Sequence, residues 1–324
     1  MTLLPARDAL EICFAHAAYR LQDRFHARAS SIRSFEVRSR DALESRIGSA
    51  DVLVISGLWH DDLLEKASKL RFIQSISAGV DQYGREGLAR ASVRLASAHG
   101  ANARAVAEHA MALVLALARR LPEARDNQAR RIWRGMIGDP TGREDELGGK
   151  TMLIVGLGRI GGYLARLAKA FGMTVLATRR DPAAGAGGAD QVSAPDRLGE
   201  LLGSADFVVL TCPLTPETAG LIDATALARL RPSAFLVNVA RGRCVDEPAL
   251  IAALQQGRIA GAALDCSSEE PLRAVSPLWG MANVLITPHT AGETRAYEDN
   301  VIDLLMENLG RLWRGEERLR NEIV

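Results

Sequence analysis

Three short segments place a chemically capable side chain directly after an apolar run: Asn238-Val239-Ala240-Arg241-Gly242, then Asp265-Cys266-Ser267-Ser268-Glu269-Glu270-Pro271-Leu272, and Ile286-Thr287-Pro288-His289-Thr290-Ala291-Gly292. In doubly wound sheets, ligands bind past the carboxyl ends of the strands. Reducing a 2-oxo acid there requires a cation for the carboxylate and carbonyl oxygen, an acid to protonate the developing alkoxide, and a carboxylate to hold that acid in place. Arg241, His289 and Glu270 supply those parts. Singly, each has a plainer reading: an Arg after a strand is commonly an ion-pair residue, and Glu269-Glu270 is commonly a solvated pair. Their conjunction carries the chemistry. The other histidines, His16, His26, His60, His99 and His109, have no comparable context and read as structural.

A second constellation precedes these. Thr151–Val155 has a strand pattern and leads into Gly156-Leu157-Gly158-Arg159-Ile160-Gly161, after which a helical run continues to Phe171. This is the context of a dinucleotide-binding loop: Gly156 for the tight turn, Gly158 for approach of the pyrophosphate, Gly161 for helix-on-strand packing. The N–H groups at the helix start then face the anion. The next strand, Thr174–Thr178, ends in Thr178-Arg179-Arg180, where proteins that bind NAD usually carry an acid for the ribose 2′-hydroxyl. Two guanidiniums and a hydroxyl suit the 2′-phosphate of NADP instead, so NADP is the expected preference, with NAD possible. Asp181 is the competing contact for the ribose of NAD, and a merely solvated Arg pair is the plain alternative.

The elements that must position these residues follow from pattern. Short β-type runs alternate with helical stretches, which argues for parallel sheets built of βαβ units. Strands are expected at Glu11–Ala15, Ser34–Val37, Asp51–Ile55 and Phe72–Ser75, with a helix over Ala17–Ala29. Ala103–Arg120 is apolar on most faces and must be buried in a core or an interface. Leu121–Lys150, with Pro122, Pro140 and Trp133, breaks the rhythm and is too long for a plain connection, so an arm or lid is expected. The runs TMLIV, TVLAT, FVVL, AFLVN and IAGAAL then read as strands of a sheet covered on both faces. Glu247 and Pro248 open a helix that Gly257 closes, Val284–Thr287 is a last strand, and a helix is expected from about Glu293 to Gly315.

Composition sets limits on function. With 324 residues, 48% hydrophobic and 24% charged, the chain has room for two ordinary globular domains. Forty basic and 39 acidic side chains leave a net charge of +1, which gives no footprint for nucleic acid or an anionic membrane and points to a small-molecule substrate. Cys13, Cys212, Cys244 and Cys266 are scattered without metal-ligand spacing, so no metal site is expected and a reducing cytoplasm fits. Arg7, Asp8 and Glu11 break up any signal-peptide core, and the longest apolar run, Ala110–Ala118, falls well short of a membrane span.

Taken together, the sequence resembles the D-isomer-specific 2-hydroxyacid dehydrogenases, a family that includes glyoxylate/hydroxypyruvate reductases, phosphoglycerate dehydrogenases and D-lactate dehydrogenases. The likeness rests on SAGVDQY from Ser77, ANARAVAEHAMALVLALAR from Ala101, GGKTMLIVGLGRIGG from Gly148, LTCPLTPETAGLI from Leu210, NVARGRCVDEPAL from Asn238, GAALD from Gly261, EEPL from Glu269 and TPHTAG from Thr287. It implies two Rossmann-like, doubly wound parallel-sheet α/β domains with the active site in the cleft between them. Residues 1–100 and 290–324 would form the substrate-binding, flavodoxin-like domain. Residues 101–289 would form the NAD(P)-binding domain, whose 103–150 helix and arm would build a homodimer. By the same resemblance Arg241 would bind and polarise substrate, His289 would be the general acid/base, and Glu270 would pair with it. The backbone of Ala78 and Gly79 would hold the substrate carboxylate, with Asn102 nearby. Arg159 and Ile160 would meet the pyrophosphate beside Gly156, Gly158 and Gly161, and Cys212, Pro213 and Thr218 would flank the adenosine side, whereas the 2′-phosphate contact of Thr178, Arg179 and Arg180 is expected from those residues themselves. Ala240 and Asp265 would lie against the cofactor's nicotinamide end, and Gly292 is a further expected cofactor contact.

The chain departs from the family pattern at Ser267 and Ser268, where many members have an aromatic and an acid, and at Arg179, where many have an acid. It stops soon after the final helix, so serine-sensitive feedback through a regulatory domain is not expected. The expected activity is reduction of a small 2-oxo acid, glyoxylate or hydroxypyruvate foremost, to the D-hydroxy acid. The alternatives are a phosphoglycerate dehydrogenase-like enzyme using NAD, and a catalytically silent NAD(P)-sensing regulator of the same fold. A Rossmann methyltransferase or hydrolase would share the glycine loop but would not need TPHTAG or NVARG.

Overall fold

The computed structural model describes residues 4–28 and 32–324. The chain divides into two compact units, Met1–Asn102 with Glu293–Val324, and Ala103–Gly292. Both are doubly wound parallel α/β structures.

The first unit runs β1 (Glu11–Ala15), α1 (Leu21–His26), β2 (Arg33–Val37), α2 (Arg40–Arg46), β3 (Val52–Ile55), β4 (Phe72–Ser75), α3 (Arg85–Arg90) and β5 (Arg94–Ala96). Among the described residues its sheet has five parallel strands in the order β2-β1-β3-β4-β5, the flavodoxin-like winding. Alternate residues feed two cores, as a period of two demands. Val52 and Val54 pack on one face with Ile12, Phe14 and the C-terminal helix Tyr297–Trp313, while Leu53 and Ile55 pack on the other with Cys13 and Ile73.

The helix expected over Ala17–Ala29 is shorter; Ala29 itself lies outside the described residues. His16 explains the late start: its Nδ1 accepts the N–H groups of Ala18 (3.0 Å) and Tyr19 (2.8 Å), which folds residues 16–19 into a turn. Strand β5 was not legible because it has only three residues and sits at the sheet edge, where the C-terminal residues cover it: Leu95 exchanges bonds with Ile323 and Val324.

The second unit runs α4 (Ala103–Ala118), α5 (Leu121–Ala129), β6 (Thr151–Val155), α6 (Arg159–Ala170), β7 (Thr174–Thr178), β8 (Gln191–Ser193), α7 (Leu198–Leu201), β9 (Phe207–Leu210), α8 (Ala224–Ala228), β10 (Phe235–Asn238), α9 (Glu247–Gln255), β11 (Gly261–Leu264) and β12 (Val284–Ile286). Among the described residues the sheet has seven parallel strands ordered β12-β11-β10-β9-β6-β7-β8. Chain order therefore reverses between β6 and β9, the switch point at which doubly wound sheets bind ligands. Helix α4 buries Val106, Ala110, Met111, Val114 and Leu117 in the same core as α6, so its apolar surface has a partner within its own unit. It ends two residues earlier than expected, because Arg120 adopts left-handed backbone (φ 50°) and Pro122 opens α5. The first nine residues of the expected arm are thus helical; beyond them Trp133 and Met136 stand fully exposed.

A buried polar latch holds the C-terminal helix to the first sheet. Gln74 and Asn308 are both fully buried, and Asn308 Nδ2 donates to Gln74 Oε1 (2.9 Å), while Asn308 Oδ1 accepts the Arg320 N–H (2.8 Å). Gln74 Nε2 in turn donates to the carbonyls of Ser75 and Ala96. A buried polar group stripped of its partner costs about 1–3 kcal/mol. Asn308→Ala is therefore expected to lower unfolding stability by about that amount in urea titrations; a loss under ~0.5 kcal/mol would mean the latch is dispensable.

Candidate active site

The glycine loop leaves β6 beside the loop that leaves β9, since Val155 pairs with Leu210. Gly156 has φ +104°, and a Cβ on it would stand 2.7 Å from the Cys212 backbone. A Cβ on Gly161 would lie 2.6 Å from the Gly156 carbonyl, so both positions exclude a side chain. Gly158 is different: nothing lies within 4 Å of the place its Cβ would take. That open space lies at the N-cap of the 12-residue helix α6, the end of a helix at which anions are favoured. Arg159 and Ile160 begin the helix there. Across the switch point, Thr218 Oγ1 donates to the Pro213 carbonyl (2.7 Å) and accepts the Thr215 N–H (2.7 Å), bracing the loop after Cys212. The Cys212 thiol hydrogen-bonds Cys244, which together with burial pushes its pKa up and keeps it protonated.

At the end of β7, Thr178 is buried, so the accessible groups are Arg179 and Arg180. Arg179 Nη1 donates to the Gly185 carbonyl (2.9 Å), and Arg180 is exposed. Asp181 caps its own turn, accepting the Ala183 N–H at 3.0 Å.

Strands β10, β11 and β12 lie side by side, with Asn238 opposite Leu264 and Leu264 opposite Ile286. The loops carrying Arg241, Glu270 and His289 therefore leave the sheet from adjacent positions. Asn238, buried at the end of β10, shapes the first loop: its Oδ1 accepts the Ala240 N–H (3.0 Å) and its Nδ2 donates to the Arg241 carbonyl (2.9 Å). Arg241 Nη1 donates to the Ala240 carbonyl (2.7 Å). The next residue, Gly242, touches the β11 loop so closely that a Cβ would overlap the Ser267 carbonyl. In that loop Glu270 uses both oxygens: Oε1 accepts the Ser267 N–H (3.2 Å) and Oε2 meets His289 Nδ1 at 2.8 Å. With Nδ1 engaged, Nε2 is the ring nitrogen left for a substrate, and both side chains are about two-fifths exposed (44% and 40%). His289 has left-handed backbone, φ 54°, uncommon for a residue with a side chain.

Asp265 is 2% exposed, and its carboxylate gathers the hydroxyl of Thr287 (2.6 Å) and the N–H groups of Thr290 (3.0 Å) and Ala291 (3.1 Å). It holds the loop of His289, a role its sequence position did not suggest. Gly292 follows directly as the last residue of this unit. His109 of α4 joins the same network, with Nε2 at 3.0 Å from Thr287 Oγ1. In sequence His109 reads as structural, and the one signal it offers is a titratable side chain just before the apolar run Ala110–Ala118. Beside Glu270 and His289 lies a cavity of about 610 Å³ lined by Cys266, Leu272, Leu278, Trp279, Ile286 and Pro288, with Ser267 at its wall. Burial, then the Glu270 and Asp265 carboxylates, push the Cys266 thiol up, so it lines that cavity as a neutral group. Ala78, Gly79 and Asn102 belong to the first unit: Ala78 and Gly79 sit in the turn after β4, and Asn102 is its last residue before α4. Among the described residues, no group of three or more His, Cys, Asp or Glu could hold a metal ion, and no helix is long and apolar enough to cross a membrane.

Residues 111–291 match the family model of the D-isomer specific 2-hydroxyacid dehydrogenase NAD-binding domain. Glyoxylate/hydroxypyruvate reductase B of Yersinia enterocolitica is 38% identical over 287 residues, which cover 86% of each chain. The D-3-phosphoglycerate dehydrogenase of Methanocaldococcus jannaschii is 36% identical over 287 residues, 86% of this chain and 52% of that one. The chain thus spans about half the length of the phosphoglycerate dehydrogenases it matches. Among solved structures, a D-isomer specific 2-hydroxyacid dehydrogenase family protein from Aeromonas salmonicida superposes with a TM-score of 0.85 at 31% identity, over 98% of this chain and 99% of the other.

The contact between the β10 and β11 loops has a direct test. Gly242→Ala must separate Gly242 from Ser267, and overpacking of this kind costs about 1–3 kcal/mol or more. A loss of that size in chemical unfolding is expected, whereas stability within ~0.5 kcal/mol of the parent protein would show that the two loops yield independently.

Proposed function

Because the chain belongs to the D-isomer specific 2-hydroxyacid dehydrogenase family, we propose that it is an NAD(P)-dependent reductase of a small 2-oxo acid of the glyoxylate or hydroxypyruvate type, yielding the D-2-hydroxy acid. One observation carries this reading: His289 Nδ1 is paired with Glu270 at 2.8 Å, which leaves Nε2 for a proton transfer. Gly156, Gly158 and Gly161 would hold a nicotinamide dinucleotide, which when bound would supply hydride chemistry. His289 Nε2–H protonates the carbonyl oxygen as negative charge develops on it, and Glu270 stabilises the imidazolium that must exist beforehand. Arg241, fixed by Asn238 and Gly242, polarises the carbonyl and pairs with the substrate carboxylate. The N–H groups of Ala78 and Gly79 are the proposed further carboxylate contacts, with Asn102 near them. Cys212, Pro213 and Thr218 are assigned to the adenosine side, and Ala240, Asp265 and Gly292 to the nicotinamide end.

NADP is the preferred cofactor in this reading. Arg180 is exposed at the end of β7 and Arg179 is anchored by Gly185, while the carboxylate of Asp181 is turned to its own cap. We also assign α4 and the arm after it to a homodimer contact, since Ile132, Trp133 and Met136 expose large apolar side chains together, as interaction surfaces do.

Two measurements test the proposal. His289→Ala is expected to lower kcat by about 10²–10⁴, the usual worth of a positioned acid/base, while cofactor Kd by calorimetry stays within about twofold. Undiminished turnover in a panel of 2-oxo acids would remove His289 from the mechanism. Replacing Arg179 and Arg180 by Ala should raise KM for NADPH about tenfold or more, with little change for NADH; equal effects on both cofactors would end the NADP assignment.

A further inference from the structure

We propose that His109 and Thr287 are positioning residues for the general acid/base, joined to its loop through Asp265 in one directed hydrogen-bond chain. The proposal rests on the reading of His289 given above. The donor and acceptor inventory fixes the direction of the chain. An ionised Asp265 only accepts, so the 2.6 Å contact must be a bond donated by the Thr287 hydroxyl. That hydroxyl has a single proton, so toward His109 Nε2, 3.0 Å away, it can only accept. His109 therefore carries a proton on Nε2, and the chain runs from His109 to Thr287 to Asp265. The same nitrogen is 3.5 Å from Asp265 Oδ1, so the three groups stand together.

The chain acts on His289 because of where its members stand. Thr287 is two residues before His289, and Thr290 and Ala291, the other donors to Asp265, are one and two residues after it. One carboxylate thus grips the loop on both sides of the catalytic ring. The loop needs that grip: Pro288 has no N–H to contribute, and His289 sits in left-handed backbone with its own N–H closing a tight turn on the Thr287 carbonyl (3.0 Å). Glu270 sets the rotation of the ring, while the Asp265 network sets the height of the backbone that carries it. A reacting group misplaced by about 1 Å can cost on the order of a hundredfold in rate. His109 reaches the loop from α4, a helix that lies outside the β10–β12 loop cluster, so helix and loop are locked together within one unit.

The test compares His109→Leu, which removes the donor, with His109→Gln, which returns an N–H donor at similar reach. His109→Leu is expected to lower kcat about tenfold to a hundredfold, with KM for the 2-oxo acid and cofactor Kd within about threefold, and His109→Gln to recover most of the loss. Thr287→Val against Thr287→Ser repeats the comparison from the other end. The double variant His109→Leu/Thr287→Val should be no slower than the slower single variant, because one break already opens the chain. Amide hydrogen exchange in the intact protein gives a readout besides activity: Thr290 and Ala291 should exchange faster in His109→Leu and near the parent rate in His109→Gln. A His109→Leu variant with kcat within twofold and unchanged exchange would overturn the proposal, as would His109→Gln behaving like His109→Leu. If the parent protein reduces no 2-oxo acid, the reading of the function fails, while the exchange comparison still decides whether His109 positions the loop.

Discussion

Parallel pairing is the constraint on which the rest of this structure depends. Strands that all run one way bring every carboxyl end to the same edge of the sheet, and the loops there must carry whatever chemistry the unit has. The register of β10 with β11 and of β11 with β12 places Asn238, Leu264 and Ile286 in a row, so Arg241, Glu270 and His289 start from neighbouring positions although 48 residues separate the first from the last. The same logic brings the glycine loop after β6, the arginines after β7 and the Cys212 loop after β9 to that edge as well.

What turns neighbouring loops into a fixed constellation is the absence of side chains at a few positions. Gly156 against Cys212, Gly161 against the Gly156 carbonyl and Gly242 against Ser267 are contacts in which backbone touches backbone or its near equivalent. Each removes a degree of freedom that a hydrogen bond alone would leave. Gly242 is the most consequential of them, because it fixes the Arg241 turn against the segment whose Ser267 N–H orients Glu270.

Much of this was legible in the sequence, for a physical reason. Strands buried on both faces read as unbroken apolar runs, and Glu11–Ala15, Phe72–Ser75, Thr151–Val155, Thr174–Thr178 and Phe207–Leu210 stand where the pattern put them. The three-residue edge strands β5 and β8 escaped notice because so few residues carry no period. Helix starts set by a side chain, such as the turn His16 closes ahead of α1, are likewise invisible to periodicity. At the site, Arg241, Glu270 and His289 announced themselves by following apolar strands, and the structure brings Glu270 and His289 into contact. Thr178 reads as a phosphate contact in sequence but is buried in the fold, whereas Arg180 beside it is exposed. His109 was harder to read, since its partner lies 178 residues away and its one mark is that it stands just before the apolar run Ala110–Ala118.

Asp265 shows why a buried charge can be the right residue for holding a loop in place. Three donors converge on it, a hydroxyl and two N–H groups, and they engage both of its oxygens. An amide of the same shape would offer an acceptor on one side only and would turn an NH₂ toward a donor on the other, leaving two donors face to face. A neutral acid would likewise present a proton where a proton already points. Only an ionised carboxylate accepts from every side at once, and its desolvation is offset by charge-assisted bonds and by the imidazole of His109 nearby. The price of burying the charge falls on the fold, and what it secures is the backbone of the loop that carries His289.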